Sequence, residues 1–304
     1  MVIRRGFEPC REAGPGRAVA IGNFDGLHLG HQAILEVLRE RGRELRLPTA
    51  VVCFEPQPKE HFQPDAAPAR LMRLRDKAEG IAAAGIGELR VLRFDTRLAG
   101  LEAAAFIERV LVGALRTRHV VIGEGFRFGN ARGGDAATLR RAGIAVDAVA
   151  ATLSGGRPVS STRVRDALTA GRMDEARTLL GRDFRISGRV IEGEKLGREL
   201  GFPTANLRLH RRVSPVAGIF AVRVSGAGLE RHAGVASVGT RPTVGGTEWL
   251  LEAHVFDREA ALYGARLDVD FIARLRDEVR FDSVEAMTAQ MHEDARRARK
   301  LLGH

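Results

Sequence analysis

A short apolar run that stops at closely spaced glycines constrains this chain more than any other feature. Residues 18–21 are Ala-Val-Ala-Ile, which is typical of a buried strand. Gly22, Gly26 and Gly30 follow and allow the backbone to approach a ligand closely, and apolar residues recur at helical spacing from residue 34. The pattern predicts a strand, a loop and a helix start. Unpaired N–H groups at such a helix start favour an anion such as phosphate.

Two histidines lie at the predicted helix start. His28 and His31 are three residues apart, so both side chains can lie over the first helical turn. The glycine spacing excludes two common phosphate-binding loops, because neither G-x-G-x-x-G nor Gly-Lys-Ser/Thr is present. Histidines at this spacing also occur as ordinary surface or core residues, but the flanking glycines favour a functional pair.

The length and composition predict two globular domains. The chain has 304 residues, 44% of them hydrophobic, without a long apolar run, so we expect two sizeable cores and no membrane partner. The first residues lack the apolar stretch of a signal peptide. Cys10 and Cys53 are the only cysteines, too few for a disulfide framework or a cysteine zinc site. We expect a cytoplasmic protein that is a monomer or a weak homo-oligomer.

The positive charge of the chain is spread along the sequence. A formal net charge of +10 makes nucleic acid a candidate partner. Lysine occurs only at positions 59, 77, 195 and 300, so the charge is nearly all arginine, interleaved with acids and not gathered into a basic run. This distribution indicates a solvated surface on which a few arginines bind phosphate groups. No nucleic-acid partner is predicted.

Strands and helices alternate over the first part of the chain. Strands are predicted at 49–54, 89–94 and 119–122, and helices from Pro68 to Gly85 and at 101–111. This alternation predicts a parallel sheet with both faces covered. Ligands of such sheets bind at the carboxyl ends of the strands. The loops that begin at Gly22, Glu55 and Gly123 are therefore expected at one edge.

Two further segments of the first domain have functional patterns with ordinary alternatives. The loop from Gly123 to Asn130 is rich in glycine and contains Phe126 and Phe128; it fits a ligand-lining loop, or a surface loop with two buried phenylalanines. Ser161 and Thr162 precede a short apolar helix pattern and could simply cap it. A second short helix at 173–180 completes this domain.

The pattern changes near residue 182. Short strands separated by glycine and proline turns are predicted at 184–191, 218–224, 232–238, 249–256 and 266–271. They predict a small closed antiparallel sheet. A last helix is expected from an N-cap at Asp282, with Glu285 three residues on, to Leu302. We place the domain boundary at 182, giving domains 1–182 and 183–304.

Three polar residues of the second domain are candidates for phosphate chemistry. Thr204 and Asn206 are two residues apart and point the same way if the segment is extended. Two neutral oxygens on one side suit Mg²⁺, which takes other ligands from substrate phosphates and water. Glu252 lies on the polar face of a predicted strand, where an acidic side chain is ordinarily just exposed.

Three motifs carry a resemblance to a known family. The first is Gly22-x-Phe24-Asp25-Gly26-x-His28-x-Gly30-His31, and the second is Ser161-Thr162-x-x-Arg165. Both are similar to nucleotidyltransferase signatures. The third, Gly-Arg-Glu-Leu-Gly-Phe-Pro-Thr-Ala-Asn at 197–206, matches the riboflavin kinase signature. In this order the motifs resemble bacterial bifunctional riboflavin kinase/FMN adenylyltransferases, the FAD synthetases. The resemblance implies a Rossmann-like α/β nucleotidyltransferase domain followed by an antiparallel β-barrel kinase domain with a C-terminal helix.

The resemblance also implies roles for the matched residues. His28, His31 and Arg165 would stabilise phosphate charge during adenylyl transfer, Glu252 would be the base of the kinase, and Thr204 and Asn206 would bind Mg²⁺. Residues implied to bind ATP or its phosphates are Gly22, Phe24, Asp25, Gly26, Gly30, Ser161, Thr162, Gly193, Gly197 and Arg198. Residues implied to line the flavin and nucleotide site are Gly123, Phe126, Phe128 and Asn130.

Four positions depart from the family pattern. Gln57 replaces a histidine, Gly125 an aspartate, Arg241 an asparagine and Val244 a phenylalanine. The expected function is phosphorylation of riboflavin to FMN and adenylylation of FMN to FAD, with ATP as co-substrate. Two alternatives stay open. One is a riboflavin kinase with an impaired adenylyltransferase domain, and the other is a regulator that binds flavin or nucleic acid without turnover.

Overall fold

The computed structural model describes residues 1–8, 14–192, 201–209, 212–243, 246–258 and 262–304. The chain forms two compact units. One comprises Met1–Pro68 and Met72–Ser160, and the other comprises Ala69–Leu71 and Ser161–His304. The division follows backbone contacts and does not test which segment carries which activity, so the boundary at 182 stays a prediction. No helix in these ranges is long and apolar enough to cross a membrane.

The first unit is built on a six-stranded parallel sheet. Its strands are β1 Val2–Arg5, β2 Arg17–Ile21, β3 Thr49–Glu55, β4 Glu88–Arg93, β5 Thr117–Gly123 and β6 Ala145–Val149. Their order is β1-β4-β3-β2-β5-β6. Alternate residues of β2 enter two different cores, Ala18 and Ala20 on one face and Val19 and Ile21 on the other. The predicted parallel sheet with both faces covered is therefore confirmed.

Helices cover this sheet and connect its strands. They are α1 Leu29–Glu44, α2 Pro58–Phe62, α3 Leu74–Ala83, α4 Thr96–Ala99, α5 Ala103–Phe106 and α6 Ala136–Arg141. Helix α5 continues into a π-helical segment, Ile107–Ala114. The short strands β7 Leu153–Ser154 and β8 Arg157–Pro158 form a hairpin at the end of the unit.

The second unit is a closed six-stranded barrel with helices. Helices α7 Ser161–Thr169 and α8 Met173–Leu180 precede it, and α9 Val284–Leu302 follows it. The strands are β9 Phe184–Ile191, β10 Ala205–Arg208, β11 Gly218–Gly226, β12 Leu229–Thr243, β13 Gly246–Val255 and β14 Arg266–Arg276. Their order is β10-β13-β12-β11-β14-β9, and all pairs are antiparallel. The predicted barrel and C-terminal helix are confirmed.

Local details differ from the sequence prediction. Strands β1 and β6 are the two outermost strands of the parallel sheet, and their short sequences lack the apolar run of a central strand. Strand β10 has four residues within a segment expected to be mostly loop. The N-cap of α9 is Ser283, not Asp282, because the Ser283 hydroxyl accepts the Ala286 N–H at 3.1 Å.

A buried ion pair fixes α9 to the end of β14, and its loss should destabilise the barrel. Arg276 donates two charge-assisted hydrogen bonds to Asp294, from Nη2 at 2.7 Å and from Nε at 3.0 Å, and Asp294 is 3% exposed. Asp294→Ala leaves the guanidinium without its carboxylate, so we expect a loss of about 3–5 kcal/mol in the free energy of unfolding. Urea unfolding followed by the fluorescence of Trp249, the only tryptophan, measures it.

Glu293→Ala is the matched control for this prediction. Glu293 is the preceding residue and pairs with Arg296 on the surface of α9. Its removal should cost less than about 1 kcal/mol. Equal losses for the two variants would contradict the importance of the buried pair.

Candidate functional site

The three predicted loops of the first unit begin at neighbouring strand ends. Strand β2 lies between β3 and β5 at the centre of the parallel sheet. The loops that begin at Gly22, Glu55 and Gly123 therefore leave the same edge, as predicted. Gly22 N–H donates to Val52 O at 3.1 Å and so starts its loop against β3. This edge is where open α/β sheets bind ligands.

The loop between β2 and α1 has an unusual backbone that is held from within. Phe24, Gly26 and Leu27 have φ of 48°, 86° and 45°, in the left-handed region. The Phe24 side chain is buried, and Asp25 Oδ1 accepts the Met72 N–H at 3.0 Å. The Asp25 carboxylate thus ties the loop to the segment before α3. Its contact with ATP stays a prediction.

The two histidines meet at the start of α1. His28 is the N-cap, and its Nδ1 accepts the His31 N–H at 3.3 Å. The two rings stack with centroids 3.7 Å apart, and the Phe24 ring lies 5.1 Å from that of His31. A Cβ on Gly30 would come within 3.3 Å of the His28 ring, so the small residue keeps this space open. The structure therefore brings together the pair that the spacing predicts.

The environment of His31 favours its neutral form. Its Nδ1 is buried and makes no hydrogen bond. Burial lowers the pKa of His31 well below its usual value, and the nearby charges of His28 and Lys77 lower it further. A neutral imidazole keeps one N–H group, which can donate a hydrogen bond to a phosphate oxygen.

The sequence analysis missed Lys77 as a residue of this region. Lys77 is fully buried on α3, and its Nζ lies 3.8 Å from Glu55 Oε1 at the end of β3. A signal was present in the sequence. Helical spacing puts Lys77 on one face with three apolar residues, so it is a charged residue on an otherwise apolar face. The three are Leu74, Ala78 and Ile81.

The Gly123 loop contains one core phenylalanine and one half-buried phenylalanine. Phe128 is buried and packs against Phe106 with ring centroids 5.5 Å apart, whereas Phe126 stacks on Phe128 at 6.1 Å and stays partly exposed. Asn130 is exposed, and its N–H donates to Leu101 O. A side chain at Gly125 would meet open space, so the missing aspartate leaves no gap in packing.

The Ser-Thr-x-x-Arg motif lies in the second compact unit. Helix α7 begins at Ser161 and includes Thr162 and Arg165. Arg165 Nε donates to Ala69 O at 2.6 Å. The contact of these residues with ATP phosphates stays a prediction.

The predicted kinase residues lie side by side on the barrel. In the antiparallel register, Asn206 of β10 is opposite Glu252 of β13, and Glu252 is opposite Ser237 of β12. Directly opposed residues share a face of the sheet. Leu251 and Ala253 are buried, and Glu252 is half-buried, so the predicted alternation of β13 is correct here.

The Asn206 side chain fits a metal ligand. Asn206 is 5% exposed, its Oδ1 has no hydrogen-bond partner, and its Nδ2 donates to Thr204 O at 3.4 Å. A buried amide oxygen that no protein group satisfies suits a hard cation. The described residues contain no cluster of three His, Cys, Asp or Glu side chains suited to a metal ion.

Two charged neighbours accompany Glu252. Arg241 Nη2 donates to Glu252 Oε1 at 2.8 Å, so the residue that departs from the family pattern contacts the candidate base directly. Glu278 packs against Gly239, where a Cβ would overlap its carboxylate. Burial raises the pKa of Glu278, and the charge of Glu252 raises it further. Sequence reasoning missed Glu278 because its proximity to Glu252 depends on the tertiary fold.

A basic cavity of about 590 Å³ lies beside the segment that precedes Thr204. Pro203 O accepts the His254 Nδ1–H at 2.9 Å, and burial lowers the pKa of His254. The ionisable lining residues are one acid, Asp257, and five basic residues, His254, Arg258, His292, Arg296 and Arg299. Gly193, Gly197 and Arg198, which were expected to bind phosphate, and Val244 lie outside the described residues.

Comparisons with known proteins match both parts of the chain. Family models match residues 10–163, described as FAD synthetase, and 180–302, described as riboflavin kinase. The bifunctional riboflavin kinase/FMN adenylyltransferase of Escherichia coli K12 is 45% identical over 308 residues, covering 100% of this chain and 98% of its own. The protein of that name from Haemophilus influenzae is 43% identical, with 98% of each chain covered. A crystal structure described as a macrolide-efflux protein from Streptococcus pneumoniae has a TM-score of 0.83, 30% identity and 97% coverage of both chains.

The lowered pKa of His31 predicts a specific dependence of stability on pH. The unfolded imidazole binds a proton as the pH falls through about 6.5, while the folded imidazole stays neutral. Stability is therefore present above that pH and is lost below it. In wild type, the free energy of unfolding of the region around His31 should fall between pH 7.5 and pH 5.5. In His31→Gln this fall should be smaller by roughly 1 kcal/mol. Native-state hydrogen exchange of amides in β2 and β3 measures this. An identical pH dependence in both proteins would contradict it.

Proposed function

The chain belongs to the bifunctional riboflavin kinase/FMN adenylyltransferase family, and we propose that it carries out both reactions. Riboflavin and ATP give FMN in the barrel, and FMN and ATP give FAD and pyrophosphate at the edge of the parallel sheet. The observation that carries the proposal is the succession of the two family matches along one chain. Relatives named for both activities cover nearly its whole length.

In adenylyl transfer, the residues of the first site act by binding and charge stabilisation. An FMN phosphate oxygen attacks the α-phosphorus of ATP, and pyrophosphate leaves. His28 and His31 donate to phosphate oxygens from the first turn of α1, where the N–H groups and helix dipole also favour an anion. Gly22, Phe24, Asp25, Gly26 and Gly30 shape this phosphate loop. Their fixed positions reduce the reorganisation required as charge develops.

Residues of α7 and of the Gly123 loop also have proposed roles in adenylyl transfer. Ser161 and Thr162 bind ATP phosphates through their hydroxyl groups, and Arg165 does so through its guanidinium. The flavin and adenine rings lie against a loop that presents the half-buried ring of Phe126. The proposed residues of this loop are Gly123, Phe126, Phe128 and Asn130.

In the kinase reaction, Glu252 removes the proton of the riboflavin 5′-hydroxyl. The register supports this role, because Glu252 lies directly opposite Asn206, the proposed metal ligand. Thr204 and Asn206 would hold Mg²⁺, which neutralises phosphate charge when bound. Arg241 fixes one oxygen of the Glu252 carboxylate through its hydrogen bond. Gly193, Gly197 and Arg198 are proposed to bind the ATP phosphates.

The separation of the two activities is part of the proposal. The first family match ends at residue 163 and the second begins at residue 180. A functional boundary at 182 therefore assigns all of the first match to adenylyl transfer and all but the first three residues of the second match to the kinase reaction. We also propose a cytoplasmic enzyme that acts on small molecules alone, without a nucleic-acid or membrane partner, as a monomer or weak homo-oligomer.

One time course tests both activities. The purified protein is incubated with riboflavin, MgCl₂ and ATP, and FMN and FAD are separated chromatographically at intervals. We expect FMN to rise first and FAD to follow. FMN without FAD, also when FMN is supplied, would indicate a kinase with an impaired adenylyltransferase domain. The absence of both products would favour a binding regulator, an alternative that finds no support in the names of the relatives.

His31→Ala should abolish FAD formation selectively. The loss of one preorganised donor to the phosphates costs on the order of a hundredfold to a thousandfold in rate, while riboflavin phosphorylation should stay near the wild-type rate. His119→Ala is the matched control, because His119 is a buried histidine of the same unit that pairs with Asp147 at 3.0 Å. Adenylylation of the His31 variant within twofold of wild type would make His31 an ordinary structural residue.

Glu252→Gln should abolish riboflavin phosphorylation selectively. Glutamine keeps the size of the side chain but cannot accept the hydroxyl proton, so the rate should fall roughly 10²–10⁴-fold. FAD formation from supplied FMN should persist. Glu248→Gln is the control, since Glu248 lies four residues earlier on β13 and pairs with Arg208. A kinase rate above about a tenth of wild type in the Glu252 variant would exclude its role as the base.

A further inference from the structure

Lys77 is a fully buried lysine on a helix beside the first site. Its side chain is 0% exposed, and Ala78 and Ile81 of the same helix are buried next to it. Removing an ammonium group from water is costly unless protein groups replace its hydration. Such a residue therefore needs a compensating interaction, either with the protein or with a ligand.

The protein compensates Lys77 only in part. Nζ lies 3.8 Å from Glu55 Oε1, which is within ion-pair distance but too long for a hydrogen bond, and Nζ makes no hydrogen bond at all. The ion pair of Arg276 and Asp294 in the same protein is different, because the Nε and Nη2 groups of Arg276 donate hydrogen bonds of 2.7–3.0 Å to the carboxylate. Lys77 and Glu55 therefore form a weak ion pair, in which the N–H groups of Nζ make no hydrogen bond.

The charge of Lys77 acts on residues at the ligand-binding edge. Glu55 is the last residue of β3, and its loop begins there. The Lys77 charge lowers the pKa of His31, together with burial and His28. It also opposes the effect of burial on Cys53, whose pKa is raised to about 11. Among the described residues, the ionisable groups near Lys77 are therefore His31, Cys53 and Glu55, and His28 stacks on His31.

We propose that Lys77 is a positioning residue of adenylyl transfer, a buried fixed charge that attracts the phosphate groups of the nucleotides to the edge where His31 binds them. The inference rests on the proposed function of this site. Because Lys77 is buried behind the site, its charge is poorly screened by solvent and acts over several ångströms. Together with burial and His28, its charge favours the neutral form of His31. Lys77 neither forms a covalent bond nor transfers a proton.

Lys77→Met tests the role of the charge, since methionine fills a similar volume without it. We expect kcat/KM for FAD formation to fall roughly tenfold, which corresponds to about 1.4 kcal/mol of lost attraction. The inflection of the pH profile that belongs to His31 should move to higher pH, because removal of a nearby positive charge raises the pKa of the imidazole. Lys77→Arg should restore both values in large part. Riboflavin phosphorylation by the same protein should not change.

Titrations of the two substrates identify which phosphate group responds. ATP is varied at saturating FMN, and FMN at saturating ATP. A rise in KM for ATP assigns the effect to the triphosphate, and a rise in KM for FMN assigns it to the monophosphate. Either result supports the inference, whereas unchanged values with an unmoved pH inflection would overturn it.

A second variant separates this role from the neutralisation of Glu55. Lys77→Met combined with Glu55→Gln removes both charges and leaves no unpaired carboxylate in the interior. Each Lys77 variant is compared with its own background, wild type or Glu55→Gln, as in a double-mutant cycle. Loss of FAD formation in both comparisons supports a role at the phosphates. Recovery in the double variant, relative to Glu55→Gln, would mean that Lys77 only neutralises Glu55.

One control variant and two further measurements distinguish a failure of this inference from a failure of the proposed function. Ile81→Val removes one methylene from the same helix without changing charge, and should leave the pH inflection in place. If neither Lys77→Met nor the double variant keeps its fold by far-UV circular dichroism, Lys77 is a structural residue and the inference fails. If the wild-type protein itself makes no FAD, the proposed function fails first. A wild type that makes FAD and a Lys77→Met variant within twofold of it would overturn the inference alone.

Discussion

The parallel pairing of β3, β2 and β5 is the constraint on which the first site depends. Three neighbouring strands that run in one direction end at one edge, so the loops after them share that edge whatever their sequences. The hydrogen bond from Met72 N–H to Asp25 Oδ1 adds a second constraint, since it joins the phosphate loop to the segment that leads into α3. Helix α3, which carries Lys77, and helix α1, which carries His31, both contact this loop, since a Cβ on Gly80 of α3 would overlap the Leu27 side chain and the Phe24 ring lies 5.1 Å from that of His31.

The barrel site depends instead on antiparallel register. Asn206, Glu252 and Ser237 form one row across three strands. A slip of one residue would turn Glu252 into the core and Leu251 outwards, at the cost of burying a carboxylate. The buried residues Leu251 and Ala253 therefore hold the candidate base on its face. Arg241, two residues beyond Gly239 on β12, then reaches its carboxylate.

Sequence reasoning predicted what depends on local pattern. The spacing of His28 and His31 gave their common helical turn, and the alternation of β13 gave the face of Glu252. Both follow from the repeat of one element. Sequence reasoning missed the contacts between residues that lie far apart in the sequence. The Asp25 bond spans 47 residues, the Arg41 contact with Asp147 spans 106, and the Lys77 pair joins a helix to a strand end. The N-cap at Ser283 was missed by one residue because two adjacent residues, Asp282 and Ser283, are both good caps.

Buried polar atoms without partners distinguish the two sites from most of the interior. An unsatisfied buried group costs on the order of 1–3 kcal/mol, so a fold keeps few of them. His31 Nδ1, Gln57 Nε2 and Lys77 Nζ belong to residues of the first unit's binding edge or the helix behind it, and Asn206 Oδ1 belongs to the barrel site. Thr117 Oγ1, at the opposite end of β5, has the same property, so an orphaned atom does not define a site alone. Such an atom indicates a binding site only where its chemistry matches the proposed ligand. A donor or a cation suits phosphate, and an amide oxygen suits a metal ion. In the proposed complexes, a phosphate at His31 or a metal ion at Asn206 would supply the missing partner and so offset the stability that the free protein gives up.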